Sequence, residues 1–478
     1  MTTIVWFRRD LRLTDNPALS AAAARGPVIP VYIHDEEGSG EMRAIGGASR
    51  WWLHHSLTEL DKSLGGLGLF REPALDVLQK LVTTTGADAV YWNRLYEPDA
   101  IARDMEIKSA LTKAGIEANS FPGNLLHEPW ETVKNDGTPF KVFTPFWRAA
   151  RAKPGAPPLP APAVILAPFP LFSEALEDWN LTPHAPNWAA GWSEFWQPGE
   201  AGAAEALDTF LDEKLSGYGE LRDRPDLDQT SRLSPHLHFG EISPRQIFAR
   251  ATHLMDRQPV RGGDGEKFLS EVGWREYSHH LLYHYPNLPT ANWKPAFDAY
   301  PWRDSADDLR AWQQGQTGYP MVDAGLRELW TTGTMHNRVR MIAASFLIKH
   351  LRIDWREGEA WFWDTLLDAD TANNAAGWQW VAGSGADGSP YFRIFNPITQ
   401  GRKFDPEGDY VRKWCPELAG LPNKLIHAPF EATEIELAAA GIKLGETYPH
   451  PIVDHKIARE NALAGYEKVK QAQTAQER

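Results

Sequence analysis

Cysteine is nearly absent from this 478-residue chain, with Cys415 the single example. An internal disulfide framework, a cysteine-built zinc site and a four-cysteine iron–sulfur cluster are therefore excluded. No metal site is expected. Long apolar runs are missing too: nothing approaches the ~20 residues of a membrane-spanning helix. The most apolar stretch, residues 163–172, carries two prolines. The opening MTTIVWFRRDLRL lacks the apolar core of a secretory signal. These absences predict a soluble, cytoplasmic protein with no membrane partner, and a monomer is expected. Excess positive charge is lacking as well, since 49 basic residues against 63 acidic ones give a net charge of −14. Taken alone this opposes a nucleic-acid partner, yet a local basic face can sit on an acidic protein. No nucleophile elbow or Walker loop occurs, so the common hydrolase and NTPase readings have no support.

What is abundant is tryptophan, 21 in all, and hydrophobic residues make up 42% of the chain. That is enough for packed cores, and the length predicts two or three domains. Most of the indoles are expected to fill cores and interfaces. In the first 125 residues short apolar runs alternate with helical patterns. Strands are predicted at Thr3–Phe7, Val28–His34, Ala87–Trp92 and Ile116–Phe121, with helices at Asn16–Ala24, Ser49–Leu64 and Ala100–Ala114. Such alternation implies a parallel sheet covered on both faces. The proline-dense Lys153–Pro170 predicts an extended surface linker. Beyond about residue 200 helical patterns dominate, as in Glu328–Leu351 and Trp355–Leu367, and the polar tail from Gln471 is expected to fray.

Several segments carry chemistry ambiguously. Gly383-Ser384-Gly385-Ala386-Asp387-Gly388 matches GxGxxG, but it lies in the helical half ahead of Pro390 and reads as a loop. His280 and His284 share a helix spacing without an accompanying carboxylate motif, and packing is the simpler reading. Thr230-Ser231-Arg232-Leu233-Ser234 gathers three hydroxyls and an arginine ahead of a helix. That set suits a pyrophosphate, although a helix cap looks similar. Between Arg327 and Arg352 five basic residues face one acid, Glu328, which predicts a local basic surface, and Lys403 adds to it. Asp368, Asp370, Asn373 and Asn374 precede Trp378 and Trp380. Acids and amides beside paired indoles point to a bound aromatic ring rather than to hydrolysis.

Taken together, these segments resemble the photolyase/cryptochrome family, most closely its class I/III cyclobutane pyrimidine dimer photolyases. The resemblance runs in family order through VWFRRDLRLTDNPAL, VFTPFWRA, TSRLSPHLHFGEISPR, SEVGWREY, TGYPMVDAGLREL, MHNRVRM, IDWREGE, DADTANNAAGWQW and YFRIFNP. It implies an α/β N-terminal antenna domain at 1–128 with a Rossmann-like, five-stranded parallel sheet. An interdomain linker at 129–200 and an all-α FAD-binding catalytic domain at 201–478 would follow. By the same resemblance Tyr218, Thr230, Ser231, Arg232, Leu233, Ser234, Arg275, Arg340, Asp368, Asp370 and Asn374 hold FAD. Asn374 would face the isoalloxazine N5, and Arg340 would pair with Asp368. Arg222, Glu271, Trp274, Asn337, Arg338, Met341, Trp380 and Arg393 would meet DNA containing a flipped pyrimidine dimer. Trp378, Trp355 and Trp302 match the electron-transfer chain. Glu271 and Asn374 are the expected catalytic residues.

The implied activity is deoxyribodipyrimidine photo-lyase, in which excited reduced FAD lends an electron to the dimer and recovers it. Thr334 stands where many dimer photolyases carry an aromatic. Asp99 and Ala100 do not reproduce an Asn-Glu pair of one folate-binding subgroup. Methenyltetrahydrofolate is the expected second chromophore, with 8-hydroxy-deazaflavin or none as alternatives. Rival readings are a cryptochrome photoreceptor, a (6-4) photolyase, and a flavin electron-transfer protein that never touches DNA. Asn374 and the Asn337–Met341 run favour the dimer enzyme.

Overall fold

The computed structural model describes residues 1–35, 43–168, 172–258, 261–387 and 392–476. Five strands, β1 (Thr3–Phe7), β2 (Val28–Ile33), β3 (Gly68–Phe70), β4 (Ala89–Asn93) and β5 (Glu117–Phe121), form one sheet in the order β3-β2-β1-β4-β5. Every pairing is parallel, with Thr3 opposite both Val28 and Ala89. Helices α1 (Pro17–Arg25), α2 (Gly47–Leu64), α3 (Ala74–Thr85) and α4 (Pro98–Lys113) connect the strands. Because both faces are covered, β1 and β4 are buried along their whole lengths. Asn16 starts α1 by accepting the Leu19 N–H at 3.1 Å, and Pro17 occupies the first helical position. The strand β3 has three residues, too few to show an alternating pattern, and neither it nor α3 stands among the elements read from periodicity.

The chain divides into two compact units, neither continuous in sequence. The first comprises Met1–Gly219, Ser231–Pro286 and Leu367–Ala372; the second comprises Glu220–Thr230, Asn287–Leu366 and Asn373–Arg478. The first holds the sheet and, in Gly262–His284, a 23-residue helix. Its proline-rich segment is extended and pairs briefly with β2, Val28 donating to the Ile165 carbonyl at 2.8 Å. Phe169 and Pro170 lie outside the described residues, as do Gly388 and Pro390.

The second unit is helical. The expected continuous helix over Glu328–Leu351 is instead three pieces: Pro320–Thr332, Asn337–Ser345 and a π-helical turn at Phe346–Leu351. The break follows from Gly333, whose φ of 70° ends the first helix in the left-handed region. The side chain of His336 then caps the next helix by accepting from the Arg338 N–H. The C-terminal tail is also a correction. It does not fray at Gln471 but stays helical over His455–Gln476, because Tyr466 and Val469 pack on the Pro295–Ala299 turn. No helix among the described residues is long and apolar enough to cross a membrane.

Candidate functional site

In the first unit lie Tyr218, Ser231, Arg232, Leu233, Ser234, Arg275, Asp368 and Asp370 of the residues expected near FAD. Tyr218 meets Phe210 and Phe268 edge-on, with ring centroids 5.3 and 5.9 Å away. Its loop is pinned by Asp264, whose carboxylate accepts the Gly217 and Gly219 N–H groups at 2.8 Å each. Arg232 takes a φ of 53°, a conformation that non-glycine residues adopt at a cost and that recurs at ligand-binding loops. Leu233 is buried, and Ser234 opens the short helix Ser234–Phe239. Arg275 donates to the Asn124 carbonyl at 2.9 Å and lies 3.6 Å from Glu276. Burial raises the Glu276 carboxyl to about 7, against the opposing pull of Arg275. Asp370 is buried. The nearby His279 imidazole is lowered by burial and by Arg275, with Asp370 and Glu97 opposing.

In the second unit Asn374, also buried, turns its amide nitrogen to Glu359. It donates to the backbone carbonyl at 3.0 Å and to the carboxylate at 2.7 Å. The amide oxygen is thereby left as the outward acceptor, an assignment fixed by the hydrogen-bond network. Arg340 donates to the Met335 carbonyl at 2.7 Å and reaches Thr334 at 3.4 Å. Thr334, in place of an aromatic, thus binds the arginine through its hydroxyl. The residues present fit FAD: an oriented amide acceptor suits a reduced isoalloxazine N5–H, and a hydroxyl- and arginine-bearing loop with one strained residue suits a pyrophosphate. Arg340 and Thr230 belong to the second unit and Asp368 to the first.

The three tryptophans share the second unit but differ in setting. Trp378 is buried, its indole N–H has no hydrogen-bond partner among the described residues, and it packs against Phe362 and Trp312 with centroids 5.0 and 6.2 Å away. Trp355 is fully buried and donates to Asn292 at 3.0 Å. Trp302 is partly exposed and packs on Tyr300 at 4.5 Å. Trp378 and Trp355 are thus buried, and Trp302 alone of the three reaches solvent.

The residues expected to meet DNA form two groups. In the second unit Asp223 aligns two cations: Arg338 donates to it at 2.6 Å, and Arg222 lies 3.9 Å away. The Arg338 guanidinium also lies 4.5 Å from the Phe404 ring centroid, with the Lys403 ammonium 4.9 Å from the same ring. Met341 touches Arg338 through sulfur at 3.7 Å. Asn337 and Arg393 are exposed and Trp380 half-buried. In the first unit Trp274 stacks on Phe143, with centroids 3.8 Å apart and planes 8° from parallel. Glu271, one turn away on the same helix, pairs with Lys267 at 3.0 Å.

The expected basic surface over Arg327–Arg352 needs correction. Lys349 is only 2% exposed, and Arg327 is taken up by Glu417 at 2.6 Å. An apolar run, Phe346-Leu347-Ile348, ahead of Lys349 is the sequence signal for that burial. Glu359, Asp223 and Phe143 were not anticipated either. Glu359 was signalled only by being an acid among aromatics in Trp355–Trp363. His280 accepts the Phe140 N–H at 3.1 Å and His284 meets the Pro129 carbonyl, so both are packing histidines. No group of three metal-ligating side chains occurs among the described residues.

Residues 3–163 match the family described as DNA photolyase, and residues 268–468 match the FAD binding domain of DNA photolyase. The chain is 54% identical over 476 residues to a deoxyribodipyrimidine photo-lyase of Agrobacterium fabrum, covering 98% of each. It is 40% identical to cryptochrome-2 of Arabidopsis thaliana, covering 98% of this chain and 79% of that one. Among solved structures, a class III photolyase from Agrobacterium tumefaciens superposes with a TM-score of 0.95 at 52% identity, covering 98% of both chains. With its five-stranded parallel sheet, its helical FAD-binding half and this end-to-end similarity, the chain belongs to the DNA photolyase/cryptochrome family.

Proposed function

We propose that the protein is a deoxyribodipyrimidine photo-lyase that repairs cyclobutane pyrimidine dimers in DNA with light. The observation that carries this reading is the 54% identity, from end to end, to a photolyase of that name. Reduced FAD, when bound, would supply light-driven one-electron chemistry that opens the cyclobutane ring with no net change of oxidation state. The protein's own residues do the rest. Thr230, Ser231, Arg232, Leu233 and Ser234, with Tyr218, hold the flavin's phosphates and neighbouring groups. Arg275, Arg340, Asp368, Asp370 and Asn374 surround the remainder. Asn374, fixed by Glu359, would offer one oriented acceptor to the flavin's N5–H.

Arg222, Arg338 and Arg393 bind phosphates, while Asn337 and Met341 line the dimer's approach. Trp274 and Trp380 pack on the everted bases, and Glu271 hydrogen-bonds their edge. A dimer stacks and pairs poorly, so extruding it costs less than extruding intact bases. Trp378, Trp355 and Trp302 carry electrons inward to keep the flavin reduced. In domain terms, residues 1–128 form the antenna part, 129–200 the linker and 201–478 the catalytic part. Methenyltetrahydrofolate is the proposed antenna; an absorption spectrum after acid extraction separates it from a deazaflavin. The protein is proposed to act as a cytoplasmic monomer, which sedimentation with and without DNA checks.

The deciding experiment illuminates reduced protein with oligonucleotides carrying a cyclobutane thymine dimer, a (6-4) lesion or no lesion. Restored thymines from the first substrate alone are expected. Repair of neither lesion beside normal flavin photoreduction would point instead to a photoreceptor.

A further inference from the structure

Lys349 is a buried basic side chain that no acid pairs with among the described residues. It lies on the π-helical turn Phe346–Leu351, a rare geometry that recurs at functional sites. Its side chain is almost wholly enclosed, and among the described residues no carboxylate pairs with it. A buried cation in that position is costly, and an apolar side chain of equal length would avoid the cost. Burial, and then the Arg393 charge, push the ammonium down to about 7. His350, next on the same turn, is driven lower still by burial, to about 3.

What the ammonium touches is the segment that carries Arg393. It donates to the Arg393 backbone carbonyl and sits 4.5 Å from the centroid of the Phe392 ring. Phe392 in turn stacks on Tyr466 of the helix His455–Gln476, at 4.5 Å and 7°. Three residues beyond Phe392, the Phe395 N–H donates to Ser345 at 3.3 Å. Residues 392–395 are thus tied down at several points while the Arg393 side chain is exposed. When Lys349 is protonated, it and Arg393 are two neighbouring cations with no acid paired to Lys349 among the described residues, an arrangement that an arriving anion stabilises. The enclosed one cannot leave, so its field adds to that of the exposed one.

We propose that Lys349 is a positioning residue for DNA binding: it fixes the backbone of Arg393, and with its own charge beneath presents that guanidinium to a DNA phosphate. The proposal rests on the reading that Arg393 contacts a phosphate, and the test separates the two.

The FAD-loaded protein is titrated in the dark with a labelled duplex carrying one cyclobutane thymine dimer, across a range of salt concentrations. Lys349→Met removes donor and charge at nearly equal volume. Lys349→Gln is a second variant, polar but too short to reach the carbonyl. Both are expected to keep the flavin spectrum and photoreduction, to weaken Kd about tenfold at low salt, and to lower the slope of log Kd against log salt by about 0.9, the loss of one phosphate contact. Arg393→Ala should do the same, and adding Lys349→Met to it should cost clearly less than Lys349→Met costs alone. A purely structural lysine would not move the salt slope. Native affinity and slope in the folded Lys349 variants, while Arg393→Ala weakens binding, overturns the positioning role. Native affinity in Arg393→Ala itself overturns the phosphate assignment beneath it.

Discussion

Trp378 lies so close over Gly358 that a methyl group there would stand 2.1 Å from the indole Cη2. Alanine inside a helix is ordinarily favoured over glycine by about 1 kcal/mol. Here the sign reverses, because the methyl would also meet Leu347 at 2.6 Å. Gly358→Ala is expected to destabilise the protein by about 1–3 kcal/mol through overpacking and to displace Trp378. Thermal unfolding checks the first effect, and slowed flavin photoreduction checks the second.

Trp302 is the exposed end of the proposed electron path. Trp302→Phe leaves the ring packing on Tyr300 nearly intact while removing the readily oxidised indole. Photoreduction of oxidised flavin should slow at least tenfold, while repair by chemically reduced enzyme stays near the native rate. Equal loss of both would remove Trp302 from the path.

The amide of Asn374 is held by a partner that is itself buried. In Glu359→Ala the amide keeps only its bond to the backbone carbonyl of that residue, so it is freer to turn and present N–H2 where it now presents oxygen. One oriented hydrogen bond is worth on the order of 1 kcal/mol. FAD should still bind, but the flavin midpoint potential should fall by a few tens of millivolts, about the equivalent of that energy. A potentiometric titration monitored by absorbance measures it, and an unchanged potential in a variant that binds FAD would exclude the role.

Strands β1, β2 and β4 were legible because they are five- or six-residue, largely apolar runs, a local signal, whereas β5 (EANSF) is mostly polar and was read only with Ile116 ahead of it. The three-residue β3 has no such signal, and its pairing comes from neighbours distant in sequence, Val31 opposite Gly68 and Ile33 opposite Phe70. The helix break had a local signal in Gly333, and a helix opening at Met335 was readable, but the apolar periodicity on both sides favoured one run over Glu328–Leu351. Of the candidate site, the residue types were readable but not their partners. That Asp223 aligns Arg222 with Arg338, that Phe143 backs Trp274, and that Lys349 is enclosed all depend on long-range packing. Tertiary burial outweighed the surface placement that Lys349's charge suggests.

The stack of Trp274 on Phe143 makes a second relationship testable in the first unit. At 3.8 Å and 8° the two rings form a slab that holds the indole flat for a base to lie on. Stacking of a base on an aromatic side chain is worth about 1–3 kcal/mol. Phe143→Leu should leave the indole in place but free to tilt, weakening affinity for dimer-containing duplex about threefold. Trp274→Ala should weaken it tenfold or more. Neither should alter binding of undamaged duplex by the same factor, and fluorescence anisotropy on the two duplexes separates a lesion-specific loss from a general one.

Glu276 sets the last expectation, a pH dependence of stability. Its Oε2 accepts the Leu126 N–H at 2.9 Å, and the other oxygen lies against Arg275. Burial nevertheless prevails, and the carboxyl titrates at about 7 instead of near 4.5. A carboxyl raised in the folded state binds its proton more tightly there than in the unfolded chain. Its contribution is therefore fully present below pH ~4.5 and is lost as pH rises toward 7, by on the order of 3 kcal/mol. Glu276→Gln cannot ionise and should remove that limb. The variant should gain stability relative to the native protein at pH 8 and little or nothing at pH 4.5. Denaturant midpoints at the two pH values decide it: a native-minus-variant difference that does not change with pH would mean that Glu276 ionises freely in the folded protein.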